Sequence, residues 1–136
     1  MVKKVLFITS NQGVEHDELT EPLNFLKSKG FEVIHAAEKN EDVATVKGDT
    51  KAATQYTPDT SFDHVDLNDY DLLVIPGGTV NADTLRINQD AQKIIQHFAD
   101  NHKPIAAICH GPWALIDADR IKDKNLTSYK SIKLDL

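Results

Sequence analysis

Apolar positions fall in short continuous blocks along this chain, and polar turns separate them. Residues 5–9 form an unbroken apolar run, the pattern of a strand buried on both faces. Thr20 then predicts a helix cap, with Pro22 in the first turn, Leu23, Phe25 and Leu26 along the helix, and Gly30 at its end. Residues 31–36 read as a second strand. Residues 37–69 are polar and poorly periodic, which predicts short edge strands or a hairpin. A third buried strand at 71–75 is cut off by Pro76-Gly77-Gly78. Asn88 caps a helix whose Ala91, Ile94, Ile95, Phe98 and Ala99 keep the i, i+3, i+4, i+7, i+8 spacing of one face. Residues 105–108 form the next strand, residues 112–116 open a last helix, and Leu126-Thr127-Ser128 reads as one more short strand. This alternation implies an α/β fold, a parallel sheet with helices on both faces. With no repeat, low-complexity stretch or linker, residues 1–136 read as a single domain.

Composition narrows the classes. At 136 residues, 40% apolar and 26% charged, the chain reads as soluble and globular with room for one core. A net charge of −6 and a pI near 5.4 argue against nucleic acid as a partner, since phosphate binding needs a basic face. Lys122, Lys124, Lys130 and Lys133 cluster near the end and read as a solvated surface. No apolar run approaches the ~18 residues that span a bilayer, so no membrane partner is expected. Met1-Val2-Lys3-Lys4-Val5-Leu6-Phe7-Ile8 has no small-residue cleavage site and reads as a first strand rather than a signal peptide. One cysteine makes no internal disulfide, which fits a reducing cytoplasm.

In parallel α/β sheets, ligands sit beyond the carboxyl ends of the strands. Three predicted strands end in chemically notable segments: Ser10-Asn11-Gln12-Gly13-Val14-Glu15, Pro76-Gly77-Gly78 and Cys109-His110. Cys109 stands where a strand runs into His-Gly-Pro, the layout of a nucleophile elbow. A lone cysteine is commonly a small buried hydrophobe. The elbow instead points to an exposed thiol at a helix N-terminus, a setting that favours the thiolate. The His110 N–H, one residue on, is placed as an oxyanion donor, and its imidazole is a candidate acid or base. Gly77-Gly78 is either a plain turn or the second half of that oxyanion hole, with Gly78 as donor. Glu15 lies in an acidic cluster with His16, Asp17 and Glu18. It reads as a solvated loop residue, or as a carboxyl at the end of the first strand that reaches Cys109 and donates a hydrogen bond to the thiolate. No metal-ligand spacing is present, and neither a metal nor a cofactor is expected. By spacing alone Asp83 and Arg86 are ordinary residues of the loop after Gly-Gly, and Trp113 is packing.

With Ala106-Ala107-Ile108-Cys109-His110-Gly111-Pro112, Ile75-Pro76-Gly77-Gly78 and Glu15 in place, the whole chain resembles the PfpI branch of the ThiJ/PfpI superfamily, which is class-I glutamine-amidotransferase-like. The resemblance implies a flavodoxin-like three-layer sandwich. It implies Cys109 as nucleophile, His110 beside it and Glu15 as the glutamate after the first strand. It also places Asp83 as an acid given to the site in trans by a neighbouring subunit, hence a homodimer or larger homo-oligomer. The histidine after the cysteine argues against the glutamine amidotransferases themselves. Such families ordinarily continue with another strand pair and a final helix, roughly 30 residues. The chain is therefore expected to lack C-terminal elements and to expose apolar sheet surface.

The expected function is a cytoplasmic cysteine-dependent hydrolase acting on a small molecule or peptide: an intracellular peptidase or amidase, or a glyoxalase-like protein or nucleotide deglycase. The rival is a redox-sensing or chaperone-like stress protein with an oxidisable Cys109.

Overall fold

The computed structural model describes residues 3–136; Met1 and Val2, the head of the expected first strand, lie outside the described residues. Strand β1 (Lys4–Thr9) takes the centre of a parallel sheet, because its apolar run has no polar side to turn to water. It pairs with β3 (Glu32–Ala37) on one side and β7 (Leu72–Ile75) on the other. Beyond β7 lies β8 (Ile105–Ala107), and beyond β3 the two-residue β6 (Thr60–Ser61). Without β6 the order is second, first, third, fourth in the chain, as in doubly wound flavodoxin-like sheets.

Alternation along β1 divides the core into two layers. Val5 and Phe7 pack with Val33, Val74 and helix residues Leu19 and Leu23. Leu6 and Ile8 pack on the opposite side with Leu73, Ile75, Leu85, Ile94, Ile95 and Phe98. Helix α1 (His16–Ser28) supplies the first layer. Helices α2 (Thr79–Ile87), α3 (Gln89–Asp100) and α4 (Pro112–Asp117) supply the second. Asn88 caps α3 as expected, its side chain accepting the Ala91 N–H at 2.8 Å.

Three expectations need correction. The first helix begins at His16, not after Thr20: Glu15 is its extended cap residue, Asp17 and Glu18 sit in its first turn, and Pro22 lies inside it. Acidic residues suit a helix N-terminus, and buried Thr20 belongs to the packed face. Residues 79–87 are helix α2 rather than loop, so Asp83 is helical. Leu126-Thr127-Ser128 forms no strand; the chain passes over the site instead and ends in a 3-10 turn, Lys130–Asp135. The polar stretch does hold edge strands, but with a partner not anticipated. Strand β2 (Gln12–Glu15) runs parallel to β4 (Ala44–Lys47), and β4 turns back into β5 (Lys51–Ala52). This small second sheet hangs a hairpin beside the carboxyl ends of β1 and β7. On the far side β8 is an edge strand with Ala106 exposed. Ile105, Leu115 and Leu126 line a hollow of about 420 Å³ there.

Candidate active site

Cys109 follows β8 by one residue and takes a left-handed backbone, φ 59°. Non-glycine residues adopt that conformation at an energetic cost and do so preferentially at functional sites. The turn is closed by the Gly111 N–H, which donates to the Ile108 carbonyl at 2.8 Å. It lifts the side chain out of the sheet and leaves the thiol half-buried. The backbone N–H groups of Gly78 and His110 face the sulfur and favour its thiolate. The His110 ring turns back so that Nδ1 lies 3.1 Å from Sγ. Neighbours in sequence thus become a thiol–imidazole pair, which adjacency alone did not guarantee.

The imidazole is held from both sides. Tyr129 stacks on it at 4.7 Å between centroids and Trp113 meets it edge-on at 5.1 Å. These contacts leave His110 buried. The Tyr129 N–H donates to the Cys109 carbonyl at 2.8 Å, so the tail is tied to the elbow's own backbone. Trp113 also donates from Nε1 to Asp135, and the Arg86 guanidinium lies over its ring at 5.0 Å. Arg86 itself is paired with Asp117 at 2.8 Å.

Glycines 77 and 78 let three segments close on the sulfur. A Cβ on Gly77 would meet Cys109 Cβ at 2.6 Å and collide with Glu18 Oε1. Gly78 has φ 92°, and a Cβ there would strike the Gly13 carbonyl. No other residue fits either position without moving backbone.

The carboxyl at the sulfur is Glu18, not Glu15. Glu18 Oε1 accepts the Gly77 N–H at 2.9 Å, which sets its carboxyl beside Cys109, and the thiol favours its ionised form. Burial pushes its pKa above the ordinary glutamate value; the Gly77 hydrogen bond opposes this, and the charge of Glu15 adds to it. Glu15 points the other way. It accepts from the backbone N–H groups of Asp49 at 2.5 Å and Gly48 at 3.3 Å, at the tip of the β4–β5 hairpin. The reason is the helix start. With α1 opening at His16, Glu15 still has extended backbone and faces the neighbouring strand, while Glu18 sits one turn in, against Gly77.

The expectation of an easily ionised thiol is also corrected. Burial, and after it the Glu18 charge, raise the Cys109 pKa, while the Gly78 and His110 amides pull it down without reversing the shift. Helix α4 has only six residues, so its dipole adds little.

Asp83 does not reach His110 within the chain. It is exposed on α2, and among the described residues nothing hydrogen-bonds the Nε2 of His110. His110 lies at the sulfur and the Gly78 amide favours its thiolate. Glu18, Asp49 and Tyr129 were missed. Glu18 was visible within the acidic cluster, but choosing it required the right helix start. Asp49 and Tyr129 carried no local signal, since each reaches the site by tertiary contact.

Comparison with known proteins bears on family and fold. The chain matches the DJ-1/PfpI family over residues 3–136. It is 38% identical over 133 residues to Deglycase PH1704 of Pyrococcus horikoshii, covering 98% of this chain and 76% of that protein. It is 35% identical over 137 residues to the Bacillus subtilis protein named "Putative cysteine protease YraA", covering 100% and 77%. Among solved structures, Drosophila melanogaster DJ-1beta superposes with a TM-score of 0.90 at 28% identity, covering 100% of this chain and 70% of that one. With match, fold and elbow in agreement, this chain belongs to the DJ-1/PfpI family.

Proposed function

We propose that this chain is a cysteine-dependent hydrolase that removes small carbonyl adducts, in the manner of a deglycase. One observation carries the reading: a single sulfur lies 3.1 Å from an imidazole nitrogen, with two backbone amides that favour its thiolate and a carboxyl of raised proton affinity beside it. Two amides converging on one point form an oxyanion hole for any carbonyl that Cys109 attacks. The sulfur adds to the carbonyl carbon, and the oxygen takes up the displaced electron pair under the Gly78 and His110 amides. Glu18 receives the thiol proton, a role its raised pKa suits. On the neighbouring carbinol carbon the hydroxyl becomes a carbonyl as the C–N bond breaks, His110 giving the departing amine its proton, and reversal of the sulfur adduct then frees the dicarbonyl and restores Cys109. The relative named a deglycase supports this chemistry over peptide cleavage.

Asp83 acts in a homo-oligomer, where it orients His110 of a neighbouring subunit. Val80 and Ile87, exposed at 49% and 75%, flank Asp83 on the same face of α2, which supports that face as the contact.

The test is release of free amine from methylglyoxal-treated N-acetyl-lysine. Wild type releases it, and Cys109→Ser falls to the rate in buffer. Equal rates for the two would sink the reading. A redox role has one observation in its favour, the Glu18 carboxyl that would hydrogen-bond an oxidised sulfur. Asp83→Asn separates the two: it lowers amine release but leaves peroxide oxidation of Cys109 unchanged.

A further inference from the structure

The β4–β5 hairpin meets the rest of the molecule through a closed ring of hydrogen bonds. Glu15 accepts the N–H of Asp49 and of Gly48. The Asp49 carboxylate accepts from Thr79 twice, from its N–H at 2.7 Å and its hydroxyl at 2.8 Å. Thr79 is the first residue of α2 and directly follows Gly78. The ring closes where the Glu15 N–H donates to the Gly77 carbonyl at 3.4 Å. Asp49 has a left-handed backbone, φ 66°, so the hairpin tip holds an unfavourable conformation to present this carboxylate.

No side chain of α2 caps its own N-terminus, because Gly78 has none to offer. Asp49 does so from another element, with an anionic carboxylate on a helix start. What it fixes is the peptide between Gly78 and Thr79, next to the peptide whose Gly78 N–H favours the Cys109 thiolate. Glycine restrains its own φ and ψ least of all, so Asp49 adds to the hold that Asn81 Nδ2 and the Glu15 N–H take on the Gly77 carbonyl, in the same peptide as the Gly78 N–H. From this ring we infer that Asp49 is a positioning residue of the active site: it clamps Thr79, aims the Gly78 N–H at Cys109, and is itself held in place by Glu15. Glu15 thus serves the site at one remove, through the hairpin rather than through the sulfur.

The clamp carries an opposing effect that makes it testable. The Asp49 charge disfavours ionisation of both Cys109 and Glu18. The groups that bear on the thiol are Glu18, Asp49, and the Gly78 and His110 amides, with the His110 imidazole in contact. Asp49→Asn removes the charge but keeps an oxygen to accept from Thr79. Asp49→Ala removes charge and clamp together. Comparing these two variants isolates the clamp.

The inference rests on Cys109 as the reacting group, and the experiment follows the sulfur without requiring turnover. The rate of Cys109 alkylation by iodoacetamide is measured against pH for both variants and wild type, with folding checked by circular dichroism. Asp49→Asn is expected to shift the midpoint below wild type. Asp49→Ala is expected to lie about 0.5–1 unit above Asp49→Asn, the effect of losing one amide donor to a thiolate. Thr79→Val, which removes one of the two bonds, moves the midpoint the same way by less, and stands in if Asp49→Ala does not fold. Coincident midpoints for Asp49→Ala and Asp49→Asn, or for Thr79→Val and wild type where Asp49→Ala is unfolded, overturn the inference. A chain that shows the predicted shifts yet releases no amine from the glycated substrate overturns the hydrolase reading alone.

Discussion

Glu18 and Cys109 face each other in a site where the Glu18 charge disfavours the thiolate, the thiol favours the Glu18 carboxylate, and burial disfavours the charge of both. Replacing Glu18 by Gln therefore has two opposite effects. The alkylation midpoint of Cys109 falls, because a neighbouring negative charge is gone. Amine release from the glycated substrate falls by about 10²-fold or more, because the thiol proton has lost its acceptor. A variant with an unchanged midpoint would show that the carboxyl does not act on the sulfur. Stability follows a third course. Glu18 has a raised pKa in the fold, so its contribution is fully present below the unfolded glutamate pKa and is lost as pH rises through the folded value. Glu18→Gln should accordingly raise the melting temperature at neutral pH, and a drop there would contradict the sign. At this scale Cys109, His110 and Gly78 were legible, because strand, turn and glycine pair leave a local mark in the sequence. The choice between Glu15 and Glu18 was not, since it turns on a helix boundary that an apparent cap at Thr20 displaced by one turn.

Between elements, the β1–β3 pair holds a second titratable group. His35 of β3 is fully buried, with Nε2 2.7 Å from the Thr9 hydroxyl and Nδ1 without a hydrogen-bond partner. Burial lowers its pKa to about 4, against a smaller opposing effect of Asp59. An unfolded histidine takes a proton near pH 6.5. The folded chain resists it, so stability is full above about pH 6.5 and is lost as pH falls toward 4. The loss is on the order of 3 kcal/mol. Urea unfolding at pH 7 and pH 4.5 measures it, and His35→Gln should flatten the difference; equal slopes for the two proteins would rule His35 out. At the start of α3, Asn88→Ala should cost about 1 kcal/mol through loss of its bond to the Ala91 N–H. A thermal melt reads this as a fall of a few degrees. The cap and periodicity of α3 were plain in the sequence. Helix α2 was not: only Asn81, Ala82 and Leu85 are buried along it, too sparse a stripe to stand out after Gly-Gly. Asn81 is buried for its hydrogen bonds, donating to the Pro76 and Gly77 carbonyls and accepting the Ser10 N–H. Binary patterning has no place for such a residue.

At the scale of the whole molecule, the proposed role of Asp83 makes the site a property of the assembly. Mixing two inactive variants, Cys109→Ala and Asp83→Ala, should restore part of the amine-releasing activity, because some mixed pairs carry one complete site. Mixtures that stay as inactive as their components, under conditions where subunits exchange, would remove the trans role. The parallel sheet and its two helical layers could be foreseen from the buried apolar blocks. Edge strands in residues 37–69 were expected too, but the pairing of β4 with β2 was not, since these strands are short and polar and gain their order from long-range pairing.

The bond from the Tyr129 N–H to the Cys109 carbonyl gives the chain a built-in clock. That amide exchanges with deuterium only when the tail lifts, and the same lifting takes the stacked ring off His110. Its exchange rate counts how often the imidazole is bared to water, in a protein that has never met its substrate.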